Sequence, residues 1–349
     1  MDQKKKAYFD ELNIFRALLI FWVVVGHSTE EGLGVGGLFH TYAYSFHMYG
    51  FFVLSGILFA SKLKRIEGVK DMGAAVFERF KRLIIPYLFF SLVSYALKFV
   101  FEKYALNSIS KNIFLDLLTG TDNPNGGIWF LHALFVISVL AILLCKLPDW
   151  LNLTVFTGLY FASPFLAVDG ISVLNRTLRY GMFFFFGIFI AKYYGRISEA
   201  VCGFFKKRLN LSAALTVVYF GFSLMIVFAV FAKDIKATSY QNFLFLTLVI
   251  LFNVLVHYLL AHTANAIAPL KKPLTVIGDY GMDIYLIGYY VQIAIRVVLG
   301  QMLGAPDVLC SVLMLVFGLL APIPISKYII RKFRLTSAVM LGAFPKKDK

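Results

Sequence analysis

Charge is scarce in this sequence, and acidic charge is scarcer still. Only 15% of the 349 residues are Asp, Glu, Lys or Arg, and 19 acidic residues face 34 basic ones. With 60% of residues apolar and a mean hydropathy of +0.77, a water-soluble fold would lack the polar surface to cover itself. Cysteine is nearly absent. Cys145, Cys202 and Cys310 lie in or beside separate apolar stretches, which excludes a disulfide framework and gives no paired spacing for a metal site. Internal repeats, low-complexity tracts and long linkers are missing too, so residues 1–349 read as a single domain. No soluble catalytic segment is present, and any chemistry must take place among the apolar helices.

Long apolar runs are what the sequence has in abundance. Runs of about 20 apolar residues recur, each long enough to cross about 30 Å of hydrocarbon. They fall at 12–28, 40–60, 83–101, 127–145, 150–168, 177–195, 211–232, 241–261, 274–299 and 307–328. The expected fold is all-α, a polytopic membrane helix bundle of about ten transmembrane spans. In a soluble protein the formal charge of +15 would suggest nucleic acid. Here the positive-inside rule accounts for it, and no nucleic-acid partner is expected. Of the 34 Lys and Arg, only Lys98, Lys103, Lys111, Arg176, Arg179, Lys233, Lys236 and Arg296 fall in outer loops and span ends, so both termini are expected in the cytoplasm. The basic start (Lys4, Lys5, Lys6) followed by an apolar segment looks like a signal peptide. No small-residue cleavage site follows, so an uncleaved first span is expected. The longest outer loop, about 102–126, carries the turn-formers TGTDNPNGG. The inner stretch 62–82 is basic and partly amphipathic, and is expected to lie along the inner membrane surface.

Within the first span, NIFRALLIFWVVVGHS, Arg16 and His27 bracket an apolar run. Eleven residues turn an α-helix by about 1100° and raise it about 16.5 Å, so the two side chains share one face at opposite depths. Interfacial anchoring is the bland reading for either residue. Two ionisable groups on one face favour a position turned into the bundle, because charge in a span costs about 2.5–3.5 kcal/mol. In the second span His40, Tyr44 and His47 recur at helical spacing; the fourth opens GGIWFLHALF with Trp129 and His132; the sixth opens NRTLR with Arg176 and Arg179. A lone membrane histidine is usually a satisfied hydrogen bonder, but several at one depth imply a polar vestibule. On the inner side FERFKRLIIPY places Arg79 and Arg82 one turn apart beside Lys81. Anionic lipid suits Lys81. For the two arginines, bidentate phosphate binding competes with that reading.

These pieces together resemble acyltransferase family three, a group of integral-membrane O-acyltransferases. The resemblance rests on the arginine, ten-residue, histidine spacing of the first span, then FHMYGFFVLSGILF, RFKRLIIPY, GGIWFLHALF and IGDYGMDIYLI in the family's order. The FHM and RLIIPY segments are similar to the fucose-4-O-acetylase-like branch. One departure stands out: many relatives place a histidine after the late aromatic-isoleucine-tyrosine-leucine run, where this chain reads IYLIGYY with Gly288.

The resemblance implies an acyl-CoA donor, usually acetyl-CoA, and a hydroxyl acceptor on a cell-envelope glycan or a lipid-linked sugar, in the plasma (inner) membrane. No metal is expected. Arg16, Arg79 and Arg82 are the candidates for the donor's phosphates. The catalytic candidates are His27 as general base with Arg16, and His47 or His132 to orient the acceptor or stabilise developing negative charge. Tyr44, Trp129 and Arg179 are the candidate acceptor contacts, with Tyr49 a further apolar face. Direct transfer and transfer through an acyl-histidine both remain open. A transporter or flippase with a polar central pathway is the alternative from another class, although no inverted repeat or paired broken spans support it. A purely structural subunit would not need the histidines.

Overall fold

Proline and glycine punctuate the apolar runs, and the helices start and stop accordingly. In the computed structural model residues 3–29, 34–104, 112–233, 235 and 239–344 are described, with backbone alone for 3–9, 34, 35, 104, 202 and 204–206. Among the described residues every regular element is helical and no strand occurs. Pro148 and Pro306 stand just before helices Asp149–Leu166 and Asp307–Leu320, where a fixed φ is tolerated and no helical N–H is lost. Ser239 caps Tyr240–Ala266 by accepting from the Asn242 N–H at 3.2 Å. The side chains of Lys4, Lys5, Lys6 and Cys202, residues Lys111 and Lys236, and the tail from 345 lie outside the described residues.

Seven helices among the described residues are long and apolar enough to cross a membrane: Asp10–Ser28, Gly36–Leu63, Val69–Val100, Leu209–Ala232, Tyr240–Ala266, Gly281–Met302 and Asp307–Ile330. They match seven of the expected segments. The other three, at 127–145, 150–168 and 177–195, are helices with less apolar length. Trp129–Leu143 has 15 residues; Asp149–Leu166 contains Asp149, Asn152 and Pro164; Ser172–Ala191 carries Asn175, Arg176 and Arg179 near its start.

Three local features differ from the sequence reading. The second span breaks at Ser45 and Phe46 into Gly34–Tyr44 and His47–Leu63. The ninth is two helices, Ala268–Asp279 and Gly281–Ile295, meeting at Tyr280 between two glycines. The basic stretch 62–82 does not make a separate surface helix, because Val69–Arg79 runs through a π-helical turn (Phe80–Ile84) into Ile85–Val100. That continuous helix of 32 residues would reach about 48 Å, beyond the roughly 30 Å hydrocarbon core. Its charged N-terminal part can therefore sit outside the apolar layer.

The chain forms two compact units, each assembled from separate stretches. The first comprises Met1–Phe51 and Tyr193–Ile323. Its axis is the Gln3–Ser28 helix, which packs against Gly34–Tyr44, Tyr240–Ala266, Ala268–Asp279, Gly281–Ile295 and Asp307–Leu320. Leu12, Ile14, Phe15, Ala17, Leu19 and Ile20 are at most 2% exposed. Of this span's apolar window 72% is buried, against 17% for Leu209–Ala232. The first span is therefore enclosed by protein, while Leu209–Ala232 leaves most of its surface for lipid.

The second unit comprises Phe52–Lys192 and Pro324–Lys349. Trp129–Leu143, Asp149–Leu166 and Ser172–Ala191 pack side by side, and Val69–Arg79 lies against Trp129–Leu143. Gly56 of the VLSG stretch and Gly187 face each other's helices, and a Cβ on either would strike the backbone carbonyl of Phe184 or Val53. This close crossing of small residues explains the glycine in the FFVLSGILF motif.

Candidate active site

In the first unit the late IGDYG segment is built around the start of the first span. Asn13 Nδ2 donates to the Thr275 carbonyl (3.1 Å) and to Asp279 Oδ1 (2.8 Å). Arg16 Nη1 donates to Asn13 Oδ1 (3.3 Å) and to the Gly278 carbonyl (3.4 Å). A side chain at Gly278 would collide with Asn13, and one at Gly281 would meet Arg16 Cδ at 3.0 Å. Gly278 is thus required by close approach to backbone, while at Gly281 the Arg16 side chain would have to shift. Arg16 is half-buried and faces protein.

Three turns on, His27 meets the same partner helix: its ring lies 5.5 Å from that of Tyr289 and 6.2 Å from that of Tyr44. Tyr44 stacks on His40 (4.3 Å, 27°) and meets His47 edge-on (5.1 Å, 81°). His27, His40 and His47 are therefore gathered on one tyrosine ring. The break at Ser45 and Phe46 and the end of the first helix both bring backbone carbonyls to these rings. His47 Nδ1 contacts the Ala43 carbonyl, and His40 Nδ1 contacts those of Gly26 (3.0 Å) and Thr29 (3.2 Å). A carbonyl only accepts, so in the neutral rings Nδ1 carries the proton and Nε2 keeps its lone pair. Neither nitrogen of His27 takes a hydrogen bond from a described residue, and neither is sealed from the surroundings. His27 is half-buried, His47 is buried, and Tyr44 is 43% exposed. Tyr49, 3% exposed, presents no open face.

The second unit holds the remaining candidates. His132 tilts against Tyr87 (4.9 Å) under Gly120, whose φ of +68° belongs to the turn-rich loop. His132 Nδ1 is buried and has no hydrogen-bond partner. A stranded N–H costs more than a stranded lone pair, so the proton belongs on Nε2. His132 is thus a donor by construction, in contrast to His40 and His47. Asn123 joins this surface by donating to Ser91 Oγ (2.8 Å) and Tyr87 Oη (3.3 Å). Trp129 is already engaged, stacked on Tyr180 (5.2 Å) and covered by the Arg176 guanidinium at 4.7 Å. Arg176, rather than the exposed Arg179, is the arginine turned to Trp129, and its Nη1 reaches the Gly120 carbonyl at 3.5 Å. At the π-helical turn Arg79 lies flat on Phe59 (3.8 Å to the ring centre), and its buried Nε has no hydrogen-bond partner. Arg82 is exposed, and Lys81 lies over Phe77 and Phe344 at 4.7 and 5.4 Å.

A family model described as an acyltransferase domain matches residues 9–331. The chain belongs to acyltransferase family 3. No curated protein sequence and no solved structure matches it. Membership sets the chain among membrane acyltransferases rather than carriers, and the match runs through both units.

For this family member the glycine of IYLIGYY has a physical role. A Cβ on Gly288 would come within 2.6 Å of the Gly318 carbonyl, so a histidine does not fit there. The next residue, Tyr289, is the one that meets His27. The sequence reading missed Tyr289, and it missed two further histidines. His257 is fully buried, stacks on Phe46 (3.9 Å) and bonds the Asn253 carbonyl through Nδ1 at 2.8 Å. His262 lies 3.4 Å from the buried carboxylate of Glu11, which also accepts from Ser198 Oγ at 2.8 Å. The signal was available, because any ionisable group inside a span calls for a partner.

Proposed function

We propose that this family 3 member is an acyl-CoA-dependent O-acyltransferase that moves an acetyl group to a hydroxyl of a cell-envelope glycan or lipid-linked sugar. It would act as one domain over 1–349, in the plasma (inner) membrane, with cytoplasmic termini and ten helical passes. The observation that carries this reading is the cluster of His27, His40 and His47 on Tyr44, three turns beyond Arg16 at the C-terminal end of the first helix. A sugar hydroxyl needs a base to become a useful nucleophile near neutral pH. His27 offers open ring nitrogens for that proton. His47 offers a lone pair on Nε2, held in place because its Nδ1 is tied to Ala43.

The donor's phosphates suit the inner arginines. Arg79 has an orphaned buried Nε and a guanidinium oriented by Phe59, as expected of a group waiting for an anion. Arg82, three residues on in the same unit, is its proposed companion. Acyl-CoA, when bound, supplies the activated thioester. The chain's own part is to grip the anion, hold the acceptor and take the hydroxyl proton at His27. Within the second unit, His132 and Arg176 are proposed as hydrogen-bond donors suited to a polar or anionic group. The test is incubation of detergent-purified protein with isotope-labelled acetyl-CoA and envelope glycan. A gain of one labelled acetyl unit on the glycan is expected; no thioester turnover with any glycan would refute the reading.

A further inference from the structure

The first helix and Gly281–Met302 run in parallel and in step. Arg16 packs on Gly281, His27 meets Tyr289, and Gln292 Nε2 donates to Ser28 Oγ (2.8 Å) and the Val24 carbonyl (2.9 Å). Tyr289, Gln292 and Arg296 fall within an arc of about 60° on their helix, so the face that meets His27 and Ser28 continues to Arg296. The first helix ends at Ser28, and Arg296 lies one turn beyond the residue that touches it. It is half-buried, and close enough to act electrostatically on His27. The backbone changes to a π-helix at Arg296, continuing to Met302. Such turns concentrate at functional sites. A guanidinium within a membrane-spanning helix is costly and is kept by default for a purpose.

We infer that Arg296 anchors the acceptor beside His27, and that the acceptor is an anionic glycan with a phosphate or carboxylate close to the hydroxyl that is acylated. This rests on the acyltransferase reading above. Guanidinium geometry favours a planar or tetrahedral oxyanion over a neutral sugar. The acceptor would be held between Arg296 and His27, with Tyr44 and Tyr289 as its walls. A lipid-linked sugar phosphate and a uronate-containing glycan share the required chemistry.

The experiment compares the full chain with R296Q and R296K in detergent, using three acceptors: a polyprenyl-phosphate sugar, a uronate oligosaccharide and a neutral oligosaccharide. Acetyl transfer from acetyl-CoA and acceptor binding are both read. For the wild type, kcat/KM should be higher for one anionic acceptor than for the neutral one, and which one names the source of charge. R296Q should lose about 10- to 100-fold on that acceptor, mostly in KM, with little change on the neutral one. R296K should keep part of the preference. Equal losses on charged and neutral acceptors, or a wild type without preference in binding, would overturn the inference and leave Arg296 as a complement to the first helix's C-terminal dipole. If no acceptor is acetylated, the acyltransferase reading fails, while the binding arm still decides the role of Arg296.

Discussion

The two units solve the problem of a histidine in a membrane in opposite ways. In the first, His40 and His47 each give the Nδ1 proton to a backbone carbonyl, and both turn to one tyrosine that also meets His27. Their Nε2 atoms are acceptors. In the second unit His132 has no polar partner for its buried Nδ1, which leaves Nε2 as the donor. The same side chain thus presents an acceptor nitrogen in one place and a donor nitrogen in the other. Local backbone geometry, not residue type, makes the difference: the end of the first helix and the break after Tyr44 offer carbonyls in the first unit, and a left-handed glycine closes over the ring in the second.

Substitutions that separate the two nitrogens test this contrast. His47→Asn keeps an N–H near the Nδ1 position but removes the Nε2 lone pair; acetyl transfer should fall about 100-fold or more if His47 assists proton transfer. His132→Gln keeps a donor at the Nε2 position, and kcat should stay within about tenfold of wild type. The reverse ranking would exchange the roles of the two units. A smaller effect is expected at the π-helical turn. Arg79→Ala should raise the KM for acetyl-CoA about tenfold, and Arg79→Lys should not restore it, because lysine cannot reproduce the planar fork stacked on Phe59. Lys81→Ala should be nearly silent. Equal, small shifts at Arg79, Lys81 and Arg82 would mean that all three meet only lipid. Gly288→Ala should cost about 1–3 kcal/mol of stability by overpacking against Gly318, measured as a lower midpoint of thermal unfolding, without a gain in activity.

Much of this arrangement could be read from spacing. The eleven-residue step from Arg16 to His27 puts both on one face, and both meet the Gly281–Met302 helix. The four- and three-residue steps from His40 to Tyr44 to His47 likewise brought these rings together, even across a helix break. What spacing does not give is the neighbour. Arg176 and Arg179 are one turn apart and look equivalent in sequence, yet only Arg176 lies over Trp129 while Arg179 is exposed. Trp129 reads as a sugar platform, and only the fold shows Tyr180 already stacked on it. The break at Ser45 has no proline or glycine to announce it. The importance of Tyr289 and Arg296 depends on a pairing between helices more than 260 residues apart in sequence, which no local pattern can encode.

The central claim is that His27 takes the acceptor's proton, and the most direct measurement is acetyl transfer per mole of folded protein for His27→Gln. Glutamine can hydrogen-bond but cannot accept a proton usefully near neutral pH. The variant should insert normally and bind acetyl-CoA as wild type does, yet transfer at least about 100-fold more slowly, close to His27→Ala. Near-normal transfer by folded His27→Gln would contradict the account and pass the base assignment to His47.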